Sequence, residues 1–197
     1  MTEKNPILLY QQQKGKPVIE DVIPEIIADS VKQKTLLDFV TWLRANKMAP
    51  QWMGLTNSWA WQPKYRGKTI LTITVSADGW IDHGGNSWYV IPYFDVKKYA
   101  DTIVKENWQS VIWENQSFCV HKNRDGRMNV GCNPKKQCAG GMTKDVFGRS
   151  VDGVCCGGGS ENINPRFYDP DETVVTCVMR LLELEKAARD GGAENAK

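Results

Sequence analysis

Nowhere in the chain do about 18 apolar residues run together, so no segment reads as a membrane-spanning helix. The apolar stretch near the start, Ile7 to Tyr10, is below the length of a signal-peptide core and no small-residue cleavage site follows it. The expected location is therefore the cytoplasm, where cysteines stay reduced. Charge of one sign is also scarce: 25 basic and 23 acidic side chains leave a net +2, too little to imply nucleic-acid binding by itself. No internal repeat is visible. Several signatures are missing as well: a dinucleotide fingerprint, a Ser-His-Asp order, a paired-carboxylate motif, and a phosphate loop, since no Gly-Lys-Ser/Thr follows Gly157-Gly-Gly-Ser160. These absences favour a binding protein over an enzyme.

What is present is a globular composition, with 41% apolar and 24% charged residues over 197 positions, and two unusual counts: eight Trp and six Cys. The length predicts one α+β domain of ordinary size carrying an insertion. Residues 1–24 read as an extended lead-in. A helix is predicted over about 25–47, with Val31, Leu36, Leu37, Val40 and Leu43 on one side. An antiparallel meander of three to four strands follows: Asn57–Trp61, a turn at Tyr65–Lys68, Thr69–Val75, Trp80–Ile81 and Ser87–Ile91. A second helix is predicted over about 95–115. A third starts with Asp169 as N-cap, Pro170 at the first helical position and Glu172 closing a capping box, and ends at Gly191-Gly192. The expected organisation is an α+β core, 25–116 plus 168–190, a Gly/Cys-rich module at 117–167 between the last two helices, and a disordered tail at 191–197.

The module holds five of the six Cys and nine of the 17 Gly, with little apolar periodicity. A loop this long needs something to order it. Thiolate and imidazole are zinc's preferred tetrahedral ligands, and glycines beside them let the backbone curl around an ion. The best tetrad is Cys119, Cys132, Cys138 and Cys155, with His121 or Cys156 as substitutes. The gaps, Cys119-x-His121, Cys132-x5-Cys138 and adjacent Cys155-Cys156, lack the Cys-x2-Cys of strong zinc signatures, so disulfides and unlinked thiols stay open as alternatives. Reactive vicinal thiols at Cys155 and Cys156, in a redox enzyme or sensor, are the competing reading. Cys177 lies on the last helix beside its apolar stripe and reads as a small buried hydrophobe.

Three further groups carry a functional reading beside a plainer one. Trp59, Trp61 and Trp88, with Trp80 and nearby Tyr65, Tyr89 and Tyr93, offer an aromatic-lined pocket for a small molecule, against the plainer reading of core packing. Asp82-His83 is a turn before it is a catalytic pair. The basic residues Arg124, Arg127, Lys135, Lys136, Lys144 and Arg149 suit an anion, but with few aromatics between them nucleic acid is a disfavoured partner.

The order Trp113-Glu-Asn-Gln-Ser-Phe-Cys119, Gly131-Cys-Asn-Pro-Lys-Lys136, Val146-Phe-Gly-Arg-Ser-Val-Asp-Gly-Val-Cys155 and the Pro-Asp-Glu-Thr helix start resembles an uncharacterised family of cysteine-containing α+β proteins from anaerobic gut bacteria. Asn57-Ser-Trp59 and Arg66-Gly-Lys68 fit the same pattern, which spans about residues 35–185. The resemblance implies that 117–156 is one unit and carries no activity. Val120-His121, where another Cys would be expected, and the doubled Cys155-Cys156 depart from it.

Overall fold

The computed structural model describes residues 15–53, 59–76, 86–117, 142–154, 163 and 165–194. The chain divides into two compact units: Met1–Phe94 with Phe167–Lys197, and Asp95–Arg166. Its class is α+β with an antiparallel sheet.

In the first unit, helix α1 spans Ile19–Ile26 and helix α2 Ser30–Ala45. Residues 19–24, expected within an extended lead-in, are therefore helical. Ile19, Val22 and Ile23 recur at helical spacing and are buried, and Glu20 and Asp21 sit in the first turn, where the dipole favours them. Pro24 inside so short an element is what disguises it. The predicted single helix from 25 is divided because Ile27 turns extended and Asp29 starts a new one, its carboxylate accepting from the N–H groups of Val31 (2.8 Å) and Lys32 (3.2 Å). Leu36, Phe39, Val40 and Leu43 form the buried stripe of α2, while Val31 is exposed. Lys47 closes α2 in a left-handed conformation (φ 64°), with Met48 N–H donating to Leu43 C=O (2.9 Å) and Lys47 N–H to Arg44 C=O (3.1 Å).

The sheet contains β1 (Pro50–Trp52), β2 (Trp59–Tyr65), β4 (Leu71–Val75), β5 (Trp88–Pro92) and β8 (Phe167–Tyr168) in that spatial order, with β3 (Lys68–Thr69) also paired to β2. The expected meander is its centre, β2–β4–β5, extended at both edges. Register puts Trp52, Trp61, Ile73, Val90 and Phe167 in one row and Trp59, Val75 and Trp88 in the next, all on one face. Pro63 has no N–H to give, and it falls between the stretch of β2 paired to β4 and the stretch paired to β3. All five residues of β4 are buried, as befits a central strand.

Helix α5 (Glu172–Glu194) carries the buried face Val175, Cys177, Val178, Leu181, Leu182 and Glu185. Its cap is Asp171, not Asp169: Val174 N–H donates to Asp171 Oδ1 (2.8 Å). Asp169 is otherwise engaged. At φ 39° its Oδ1 accepts from the N–H groups of Ser87 (2.8 Å) and Trp88 (3.0 Å), and its Oδ2 from Lys32 Nζ (2.6 Å). The helix also runs through Gly191 to Glu194, past the predicted stop and into the segment expected as tail. Its far end meets β2, where Tyr65 donates its phenol proton to Asp190 (2.8 Å), Arg66 pairs with the same carboxylate (2.8 Å) and Lys186 lies over the Tyr65 ring (5.5 Å).

In the second unit, a 3-10 turn at Val96–Tyr99 leads into α3 (Ala100–Lys105), and α4 (Gln109–Glu114) follows. The single helix predicted over 95–115 is interrupted because Asn107 adopts φ 59°, with Trp108 N–H donating to Ile103 C=O (2.9 Å). Strands β6 (Met142–Val146) and β7 (Arg149–Val154) form a hairpin. Trp113 Nε1 donates to Val146 C=O (2.6 Å), Arg166 N–H to Asn115 C=O (2.8 Å) and Ile163 N–H to Asp95 Oδ1 (3.1 Å). These bonds explain why 95–116, expected in the core, groups with the residues after it.

Candidate functional site

The tetrad Cys119, Cys132, Cys138 and Cys155 lies outside the described residues, as do His121, Cys156, Trp80, His83 and four of the six basic residues considered for an anion. Among the described residues no group of three or more His, Cys, Asp or Glu side chains is placed to hold a metal. Cys177 is fully buried in α5, in a hydrophobe's place. The two described members of the basic group do not form an open face. Lys144 is 6% exposed, and the Arg149 guanidinium sits over the Trp113 ring at 5.2 Å.

The three predicted ligand-binding tryptophans share one sheet face, as alternation required, and differ in their surroundings. Trp59 and Trp88 are 4% and 0% exposed and pack in the core row with Val75. Trp61 lines a cleft of about 430 Å3, a volume suited to a small organic molecule. The opposite strand supplies Trp52, paired with Trp61 in register and meeting it edge to face at 5.2 Å and 62°. Pro50, on the edge strand where a missing N–H costs no ladder bond, continues that wall.

The facing wall comes from the lead-in to α1. Lys16 has φ 51°, and Pro17 C=O accepts the Trp61 Nε1–H at 3.0 Å, a bond that fastens this segment to the sheet while satisfying a buried indole. Val18 is half exposed on the same wall. Arg44, in the last turn of α2, completes the site. Its Nε and Nη2 donate to the two Glu20 oxygens at 2.5 and 2.9 Å, a fork that fixes the guanidinium plane. The Arg44 hydrogen bond holds the Glu20 carboxyl below its ordinary range, opposed by partial burial. Arg44 Nη1 has no partner among the described residues.

Chemically, the cleft offers aromatic and proline surface on a rigid floor, with two cations, Lys16 and Arg44, in its walls. Trp52, Arg44 and the 16–18 segment were absent from the sequence-based candidates. Pro50-Gln-Trp52 signals an extended edge, but nothing local says that it pairs with Trp61.

No protein-family description, no curated protein and no solved structure matches the chain. Among the described residues no helix is long and apolar enough to cross a membrane.

Proposed function

We propose that this chain is a cytoplasmic binding protein that holds a small planar molecule in the Trp52–Trp61 cleft. In the same proposal its cysteine-rich segment is ordered by zinc through Cys119, Cys132, Cys138 and Cys155, with His121 or Cys156 as the alternative fourth ligand. The observation that carries the binding reading is the cleft itself: an edge-to-face tryptophan pair on the sheet, walled by Pro17 and Pro50 and fastened through the Trp61–Pro17 bond. The floor is built from paired strands, so little ordering cost falls on binding. The zinc reading rests on ligand chemistry and glycine placement in the sequence.

Two measurements test it. Planar bicyclic probes should shift the indole N–H resonances of Trp52 and Trp61, and Trp52→Ala should weaken that binding by about tenfold, the worth of one lost aromatic wall. No shift at either indole refutes the cleft. Elemental analysis with thiol counting before and after denaturation should give about one zinc per chain and four thiols protected in the folded state. No metal together with two fast-reacting thiols would move the assignment to a thiol-based enzyme or sensor using Cys155 and Cys156.

A further inference from the structure

We infer that the cleft selects a planar anion, a small aromatic carboxylate, over neutral and cationic molecules of the same shape. This rests on the cleft being a binding site and goes beyond it to the ligand's charge. A pair of tryptophans alone would suit a cation as well, since ring faces attract positive charge. The walls decide otherwise. Among the described residues, both charged side chains lining the cleft are cations, Lys16 and Arg44, and no carboxylate lines it.

Arg44 is built for the task. Its hydrogen bonds to Glu20 use the Nε and Nη2 side of the guanidinium and leave Nη1, with two N–H donors, without a partner among the described residues. A guanidinium fixed by one carboxylate keeps its remaining donors aimed, so a ligand carboxylate meets a prepared plane rather than a mobile side chain. Glu20 neutralises part of that charge, and Lys16 restores a net positive wall. Lys16 is exposed, with no hydrogen bond or ion pair among the described residues, and its position is set by the 15–18 segment that Trp61 fastens. The ring system of the ligand then rests against Trp52, the less buried of the two indoles, with its carboxylate toward Arg44 and Lys16.

Three probes of one shape test this with the full chain: naphthalene-2-carboxylate, naphthalene-2-carboxamide and 2-naphthylmethylammonium, measured by calorimetry and by the indole N–H resonances of Trp52 and Trp61. The carboxylate is expected to bind at least ~10-fold more tightly than the amide, as a charge-assisted hydrogen bond allows, and the ammonium weakest. Arg44→Gln should bring the carboxylate to the level of the amide. Lys16→Gln, at an exposed position where folding is not at stake, should remove part of the preference, and added salt should shrink it. Equal binding of all three, or tighter binding of the ammonium, overturns the charge assignment and leaves the cleft standing. A carboxylate preference untouched by both Arg44→Gln and Lys16→Gln also overturns it. No binding of any probe overturns the inference together with the reading it rests on.

Discussion

Asp169 shows how one side chain can be read correctly in kind and wrongly in place. An Asp before Pro170 and three residues ahead of Glu172 has the composition of a helix start, and a helix does start there. The carboxylate that caps it is Asp171, because that of Asp169 already serves two β5 N–H groups and Lys32. Replacing Asp169 with Ala strands those donors and places a Cβ-bearing residue without a local partner at φ 39°, so unfolding in urea should show a loss of about 3–4 kcal/mol. Asp169→Asn keeps an acceptor and tolerates that backbone, and should lose about 1–2 kcal/mol. The Glu20–Arg44 pair makes a prediction in pH. Glu20 titrates below its ordinary value of 4.5 in the folded chain, so its contribution is present above that value and is lost as pH falls through the lower folded one. The difference in melting temperature between the native chain and Glu20→Gln should hold at neutral pH and close as the pH drops below 4.5. A gap that persists in acid would mean the carboxylate is not the stabilising form.

Among the elements, turns were the most legible. Arg66-Gly67 and Phe147-Gly148 both take left-handed angles, φ 48° and 75° in one and 52° and 78° in the other, the geometry that matches strand twist in two-residue hairpins. A Cβ at Gly67 or Gly148 would meet nothing within 4 Å, so Gly67→Ala and Gly148→Ala should each cost about 1–2 kcal/mol through backbone conformation alone, measured by denaturant unfolding. A near-zero cost at either would mean the turn had relaxed to another type. The first turn was visible because Thr69–Val75 behind it is β-branched. The second hairpin was not, because Lys144 occupies an inward position of β6 and erases the alternation that marks a strand. Helix breaks were hidden for a related reason. Lys47 and Asn107 do the work usually given to glycine, and apolar spacing runs on past Asn107 as though the helix continued. Asp29 is a recognisable cap, yet Ile26 and Ile27 before it keep the apolar pattern and mask the junction.

For the molecule as a whole, the division at 94/95 and 166/167 matters most to the metal proposal. If zinc orders the cysteine-rich segment, its removal should act on the unit that contains that segment. Chelation is expected to raise amide exchange at Trp113, Val146 and other residues of 95–166, while β4 and α5 keep their protection. Uniform loss across both units, or no change in either, would contradict a zinc site confined to that segment.

By itself the sequence determined the α+β class, the central strands, the clustering of the cysteines and the chemistry that such a cluster invites. These follow from spacing within a few residues, and short-range periodicity reports them directly. Only the tertiary structure decided which tryptophans are core and which border a cleft. Trp59, Trp61 and Trp88 look alike in the sequence, and their fates part through contacts no local pattern encodes: Trp61 opposite Trp52 across a strand pair, and bonded to Pro17 from 44 positions earlier. Alternation assigns a side chain to a face of the sheet; what covers that face is settled by the packing of distant segments.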